Sequence, residues 1–219
     1  MVTVHYATSD GTATAGADYV AASGVLSFAA GETSKTVTIT ILDDTLVEGD
    51  ETVNLLLSDP TNAELGTPHT AVLTISDNDV PEVAFSSNTY EIVEDGGAVT
   101  ITVQLSQPPV NTATVNYATS DGTATAGVDY IPASGVLVFR PGVTAQTFVV
   151  TILDDVLDED NETVNLMLSS PTNATLGWPH SALLTIIDDE KPEVRFSSAT
   201  YKVAENVGTG MVTITVNLS

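Results

Sequence analysis

An internal repeat sets the architecture that this chain can adopt. Residues 4–79 align with residues 115–190 at a constant offset of 111 residues, without gaps and with about two-thirds identity. A shorter match joins residues 82–106 to residues 193–219. One repeat of about 110 residues has the size of a small domain. The sequence therefore predicts tandem copies of one domain.

The copies are out of phase with the chain. Residues 81–191 contain a complete unit, residues 1–80 lack its first two strands, and residues 192–219 contain those two strands alone. We expect one of two explanations. The sequence is an excerpt of a longer repeat protein, or the last part of one copy completes the first unit of another in a head-to-tail filament.

Short runs rich in β-branched residues predict strands throughout. Val37–Ile41, Val53–Leu57 and Ala71–Ile75 are examples, and each is bounded by turn sequences. For the complete unit we expect seven strands, at about residues 82–92, 98–106, 112–118, 135–139, 146–153, 162–169 and 181–188. Seven short strands favour an immunoglobulin-like sandwich of two sheets. The predicted fold class is all-β, with tandem seven-stranded sandwiches.

The charge of the chain excludes several classes of partner. Its 29 Asp and Glu residues face only 5 Lys and Arg residues, which gives a formal net charge of -24. Such a field repels nucleic acid and anionic membranes, and no apolar run is long enough to insert into a bilayer. The chain has no cysteine and shows no pattern of nucleophile and base, so we do not expect an enzyme.

The acidic residues are concentrated in four connections of the complete unit. Because strands of such a sandwich alternate in direction, these connections meet at one end of the domain. Crowded carboxylates without Lys or Arg require compensation, and their hard oxygens suit Ca²⁺ better than Zn²⁺ or Mg²⁺. Turn propensity alone accounts for Asp10 and Asp121, which precede glycines, but not for the runs of acids. The residues of the four connections are Glu94 and Asp95; Asp121 and Asp129; Asp154, Asp155, Asp158, Glu159, Asp160 and Glu162; and Asp188, Asp189 and Glu190.

These motifs resemble the Calx-beta domain. The resemblance rests on Asp-Gly-Thr-Ala-x-Ala-Gly-x-Asp-Tyr at residues 10–19 and 121–130, and on Ile-Leu-Asp-Asp at residues 41–44 and 152–155. Glu-x-x-Glu and a Leu-Thr-Ile run before further acids complete it. The resemblance implies calcium ligands in the complete unit at Glu94, Asp129, Asp154, Asp155, Glu159, Glu162, Asp188, Asp189 and Glu190, with the backbone carbonyl of Leu157.

The same resemblance implies a second set of ligands in the first unit. Its members are Asp18, Asp43, Asp44, Leu46, Glu48, Glu51, Asp77, Asn78 and Asp79. Asn78 replaces a carboxylate and no counterpart of Glu94 precedes this set, so we expect a weaker site. Glu205 matches Glu94 and is expected to supply the missing ligand from another copy.

Together these features predict a calcium-binding structural repeat at the cell surface or outside the cell. Calcium is expected to stiffen the string of sandwiches into a rod and to offset its charge. The expected partners are other copies of the chain, joined head-to-tail by strand complementation. The alternative is an adhesin segment that binds a partner protein or a glycan, for which Trp178 is the candidate contact.

Overall fold

A computed structural model describes residues 1–205 and 211–218. Residues 1–79 form one antiparallel sheet of four strands in the order β2-β1-β3-β4. Side chains of β2 alternate between exposed and half-buried, as expected for a sheet with one solvated face. The strands are β1 (Val2–Asp10), β2 (Ser23–Phe28), β3 (Glu51–Thr61) and β4 (Thr70–Ile75).

The complete unit is a sandwich of two five-stranded sheets, which confirms the predicted immunoglobulin-like fold. Its strands are β5 (Glu82–Phe85), β6 (Thr89–Val93), β7 (Ala98–Leu105), β8 (Ala113–Asp121), β9 (Tyr130–Ile131), β10 (Ser134–Phe139), β11 (Ala145–Ile152), β12 (Glu162–Thr172), β13 (Thr175–Leu176) and β14 (Ser181–Ile187). One sheet has the order β10-β8-β12-β14-β6 and the other the order β13-β5-β7-β11-β9. A three-residue 3-10 helix, Glu94–Gly96, connects β6 to β7.

The first strand of the complete unit differs from the single strand that we predicted over residues 82–92. It divides into β5, which pairs antiparallel with β7, and β6, which pairs parallel with β14. Between them the amide of Ser86 still donates to the Thr102 carbonyl of one sheet at 3.0 Å. The Asn88 carbonyl already accepts from the amide of Leu183 in the other sheet at 3.0 Å. The chain therefore changes sheets within three residues. The alternation of side chains in the sequence does not predict this change.

The core lies between the two sheets of the complete unit. Inward-facing side chains such as Ile101, Val103 and Phe139 are fully buried. The rings of Tyr117 and Phe148 stack across the core with centroids 4.1 Å apart. Burial of this continuous apolar layer stabilises the unit and gives the loops at its ends a rigid base.

The prediction of a strand at Val37–Ile41 is wrong, because the structure forms no strand there. Residues 33–40 are outside any strand, and Ile41 makes only an isolated bridge with Tyr19. In the complete unit the equivalent strand β11 forms its longest ladder with β7. No counterpart of β7 precedes β1 in the described residues, so this segment has no long ladder to join.

In the last part of the described chain, β15 (Val194–Phe196) pairs with β16 (Val216–Leu218) as a two-stranded ribbon. Its apolar side chains are open to solvent, with Val194 71% and Phe196 65% exposed. The run from Val212, which matches β7, enters a strand only at Val216, so this predicted strand is shorter than expected. Within the described ranges, no helix is long and apolar enough to cross a membrane.

Candidate metal centre

Paired tyrosine and aspartate side chains hold the loop that enters each acidic cluster. The hydroxyl of Tyr130 donates to Oδ1 of Asp121 at 2.7 Å, and the amide of Ala126 donates to the same oxygen at 3.0 Å. Tyr19 and Asp10 form the same bond in the first unit at 2.8 Å. Asp10 and Asp121 therefore have a structural role, in keeping with the turn interpretation.

The first cluster of the complete unit joins two of the acidic loops. Asp129 ends the loop after β8, Glu159 lies between β11 and β12, and Glu162 is the first residue of β12. One carboxylate oxygen of each lies within 4.8 Å of the others. Asp129 is buried, and its Oδ2 accepts a 2.6 Å hydrogen bond from the amide of Thr125. The sharp turn thus fixes this carboxylate toward the loop between β11 and β12.

The second cluster joins the remaining two acidic loops. Glu94 of the 3-10 helix meets Asp189 and Glu190, which follow β14, with one oxygen of each within 4.8 Å of the others. Glu94 is only 6% exposed. Oε2 of Glu190 is buried and has no hydrogen-bond partner among the described residues. A buried carboxylate oxygen without a donor is costly, and a cation would satisfy it.

The electrostatics of both clusters favour a bound cation. Burial, followed by the charge of Asp155, raises the pKa of Glu94 to about 7. Burial, followed by a hydrogen bond with Asp129, likewise raises the pKa of Glu162 to about 7. Burial also raises the pKa of Glu159, with Asp155 as the next cause. Burial and neighbouring negative charges make these carboxyl groups hard to ionise. A bound metal ion would stabilise their ionised form.

Other predicted ligands brace the loops or lie at the rim. Oδ1 of Asp155 accepts from the amide of Leu157 at 2.7 Å, which closes a tight turn. Oδ1 of Asp188 accepts from the amide of Glu159 at 3.3 Å and so ties the exit of β14 to the acidic loop. Asp154 lies near enough to contribute to the raised pKa of Glu190. Every predicted ligand of the complete unit is therefore at this end of the domain.

The first unit repeats one cluster of three carboxylates. One oxygen each of Asp18, Glu48 and Glu51 lies within 4.8 Å of the others. Burial raises the pKa of both glutamates, with the charge of Asp18 as the next cause. A cavity of about 200 Å³ opens beside them. Its lining includes the remaining predicted residues of this unit, Asp43, Asp44, Leu46, Asp77, Asn78 and Asp79.

Asp77 differs from the other predicted ligands because backbone amides already occupy both of its oxygens. Oδ2 accepts from the amides of Glu48 at 3.0 Å and Gly49 at 2.8 Å, and Oδ1 accepts from the amide of Asp79 at 2.9 Å. Led by the bond from Asp79, these bonds lower the pKa of Asp77. Asp77 therefore organises the loop. Glu205 is exposed at the edge of the described chain and belongs to none of the three clusters.

Sequence reasoning missed one position in the acidic loops that has a structural role, occupied by Asn161 in the complete unit and by Asp50 in the first unit. The side chain of Asn161 accepts a 3.2 Å hydrogen bond from the amide of Asp188, and Asp50 does the same for Asp77 at 3.2 Å. The signal was an Asx residue before the second glutamate of Glu-x-x-Glu in both copies. These bonds join the acidic loop to the exit of the last strand.

The donor set suits calcium. All members of the three clusters are carboxylates, which favour hard cations over metals that seek nitrogen or sulfur. Among the described residues, a salt bridge joins Lys35 to Glu32, and neither residue belongs to a cluster. The cavity beside Asp129, Glu159 and Glu162 measures about 10 Å³, room for roughly one ion or water.

Comparison with known proteins gives relatives that are much longer than this chain. The chain is 32% identical over 209 residues to "Extracellular matrix protein 3" of Lytechinus variegatus, covering 89% of this chain. It is 35% identical over 226 residues to "Extracellular matrix organizing protein FRAS1" of Homo sapiens, covering 98%. It is 32% identical over 161 residues to "Sodium/calcium exchanger 1" of Rattus norvegicus, covering 64%. The chain spans only 7%, 6% and 17% of these three proteins, respectively.

A solved structure and a family match agree with these relatives. The apo form of the Calx CBD1 domain superposes with a TM-score of 0.50 and 32% identity, and covers 51% of this chain and 100% of that domain. The Calx-beta domain family matches residues 1–79, 76–190 and 188–219. Repeat, fold and acidic loops therefore lead to one conclusion: this chain belongs to the Calx-beta domain family.

Proposed function

We propose that this chain is a calcium-binding structural repeat of an extracellular or cell-surface protein. The observation that carries the proposal is the convergence of carboxylates from four loops, including the buried Glu190 Oε2, which has no donor among the described residues. Family membership and the extracellular matrix proteins among its relatives support the same role.

Calcium bound at this end of a unit joins the loops to the segment that leads into the next unit. Glu190 is followed by Lys191 and Pro192, and Asp79 by Val80 and Pro81. Proline restricts the backbone of each exit. An ion held by both the exit and the loops therefore stiffens the connection between units, and its binding energy appears as stability. The proposed role is a structural rod rather than a catalyst.

Isothermal titration with Ca²⁺ at neutral pH tests this proposal. We expect binding to the complete chain, with weaker binding of Mg²⁺ because that ion keeps its waters. Asp129→Asn with Glu159→Gln removes two ligands of one cluster and is expected to abolish that component. Glu91→Gln, an exposed charge on β6, is the matched control. Absence of calcium binding to the unmodified chain would refute the proposal.

Strand complementation between copies is the finer part of the proposal. In the complete unit, the segment that matches residues 193–218 supplies core side chains: Val83 is fully buried and Phe85 is 3% exposed. Their counterparts Val194 and Phe196 are 71% and 65% exposed. Residues 1–79 present a single sheet whose apolar face has no second sheet in the described residues. We infer that the ribbon of one copy covers the open face of another.

The complete unit of the same chain shows how the open sheet of the first unit could be covered. Leu55 and Leu57 of β3 border an apolar groove with Tyr6 and Val37. The equivalents of the two leucines, Leu166 and Leu168, are packed in the core of the complete unit. Burial of several such side chains provides the driving force, at about 25 cal/mol per Å² of apolar surface. In this assembly Glu205 approaches the Asp18 cluster as Glu94 approaches the clusters of the complete unit.

Sedimentation velocity over a range of protein concentrations tests complementation. Ile214→Asp places a charge where its counterpart Ile101 is fully buried, and is expected to prevent association. Thr213→Asp adds the same charge where the counterpart Thr100 is exposed, and should leave association intact. A monomer at all concentrations, or equal effects of both variants, would refute complementation without affecting the calcium proposal.

A second candidate function is adhesion through Trp178. Its indole is 75% exposed and packs edge-on against His180, with centroids 5.8 Å apart. An exposed ring on a braced loop offers a face for a sugar or a partner protein. Glycan-array binding that is lost in Trp178→Ala supports this function, and the absence of binding by the unmodified chain rejects the glycan.

A further inference from the structure

A glutamine of the complete unit contacts the acidic loop of the first unit. Gln107 lies in the connection between β7 and β8. Its Nε2 donates to the Thr45 carbonyl at 3.0 Å, and its Oε1 accepts from the Val47 amide at 3.3 Å. The side-chain amide therefore spans the backbone on both sides of Leu46. Only one orientation of the amide satisfies both bonds.

The two bonds determine how the Leu46 carbonyl points. The amide of Val47 and the carbonyl of Leu46 belong to the same planar peptide group. In a trans peptide the N–H and C=O point in opposite directions, so an N–H held by Gln107 turns the C=O away from Gln107. Leu46 lines the cavity beside Asp18 and Glu48, and its carbonyl is one of the predicted ligands. A donated N–H also polarises the carbonyl that shares its peptide.

The loop that carries Gln107 is rigid and closely packed. Pro108 and Pro109 follow it and restrict the backbone. Val110 then packs against Gly49, where an added Cβ would lie 3.2 Å from Val110 Cγ1. Gly49 has φ +85°, a left-handed conformation that favours glycine. The glycine thus allows the neighbouring unit to approach the acidic loop.

The complete unit offers an internal comparison. Its loop has the same turn, since Leu157 donates to Asp155 at 2.7 Å as Leu46 donates to Asp44 at 2.7 Å. Asp160 stands at the position of Gly49, so the close approach of a neighbour is not repeated there. Within the described residues, no counterpart of Gln107 faces Leu157. The two loops differ in this contact while sharing their carboxylates.

We infer that Gln107 is a positioning residue for the cation site of the preceding unit. It orients the Leu46 carbonyl before the ion binds. Part of the entropy cost of ordering this ligand therefore does not fall on calcium binding. The inference rests on the proposed calcium binding. It also makes the affinity of the first site a property of two adjacent units.

Titration calorimetry in two backgrounds tests the inference on the full chain. In the background Asp129→Asn, Glu159→Gln, Glu94→Gln and Asp189→Asn, both clusters of the complete unit lose ligands and only the site of the first unit is expected to bind calcium. In the background Asp18→Asn with Glu48→Gln, only the sites of the complete unit are expected to bind. Gln107→Met keeps the length of the side chain but removes both hydrogen bonds. We expect calcium affinity to fall about threefold to tenfold in the first background and to stay unchanged in the second.

A readout without calcium separates positioning from general destabilisation. Amide exchange at Val47 in the calcium-free chain is expected to accelerate about tenfold or more in Gln107→Met, while exchange at Asp158 stays the same. Gln104→Met, at an exposed glutamine of β7, should change neither quantity. Calcium binding to the first site that is unaffected by Gln107→Met overturns this inference and leaves the proposed function intact. Absence of calcium binding in both backgrounds and in the unmodified chain overturns both.

Discussion

Substitution of Glu94 by glutamine is expected to have opposite effects with and without calcium. Glu94 is 6% exposed among other carboxylates, and its pKa in the folded chain is raised from 4.5 to about 7. A group with a raised folded pKa favours folding below its unfolded value and loses that contribution as pH rises through the folded value. The calcium-free unit therefore becomes less stable between about pH 4.5 and pH 7.

The size of the effect follows from the shift. The difference between the folded and unfolded pKa values of Glu94 corresponds to roughly 3 kcal/mol, since one pKa unit is worth 1.36 kcal/mol. Access of water to the rim of the cluster reduces this to about 1–2 kcal/mol. Glu94→Gln removes the charge and retains the shape, so it should stabilise the calcium-free unit at pH 8 by that amount. The melting temperature should rise by about 5–10 °C.

Thermal unfolding followed by the fluorescence of Trp178 measures this effect. Trp178 is the one tryptophan in the sequence and lies in the complete unit. In chelator at pH 8 we expect Glu94→Gln to melt above the unmodified chain, and at pH 5 the gain should shrink because Glu94 then carries a proton. In saturating calcium the order should reverse, because the substitution removes a ligand. The exposed Glu91→Gln is the control.

If Glu94→Gln lowers the melting temperature in chelator equally at pH 8 and pH 5, the Glu94 carboxylate is not under repulsion. The acidic end of the unit would then be an ordinary solvated surface, and crowding of its carboxylates would give no reason to expect a bound cation.

Three further predictions follow from the same geometry. Calcium affinity of the complete unit should fall about tenfold or more between pH 8 and pH 6 in calorimetry, because protons compete at Glu94 and Glu162, each with a pKa of about 7. Asp77→Ala should destabilise the first unit by about 1–3 kcal/mol and accelerate amide exchange in its acidic loop, because it leaves three backbone amides without their acceptor. Tyr130→Phe should cost about 1–2 kcal/mol in urea unfolding, because the buried hydroxyl bond to Asp121 is lost.

Sequence reasoning predicted the fold because its signals are local and repeated. Alternation in runs such as residues 146–153 reports a strand buried on one face, and the constant repeat offset reports the domain size. The segment Val37–Ile41 shows the limit of that reasoning. It has a strand sequence, yet a strand also needs a neighbour with free backbone groups, and the pattern of one segment does not show whether a neighbour is present.

The candidate site was predictable in its location but not in the roles of its residues. The direction of successive strands is enough to place Asp129 and Glu190 at the same end of the domain. The oxygens of Asp77 accept hydrogen bonds from backbone amides, whereas Oε2 of Glu190 has no donor in the part of the chain that the structure describes. Only the path of the loops distinguishes these two roles. The contact of Gln107 with the first unit depends on how two domains are oriented, and sequence periodicity contains no information on that angle.

The parallel pairing of β6 with β14 has a mechanical consequence. These strands lie near the beginning and the end of the unit, and they run in register from Thr89 beside Leu183 to Val93 beside Ile187. When the chain is pulled at both ends, two parallel strands are loaded in shear, so the hydrogen bonds between them bear the force together rather than one after another. A tandem array of such units should therefore resist extension under tension.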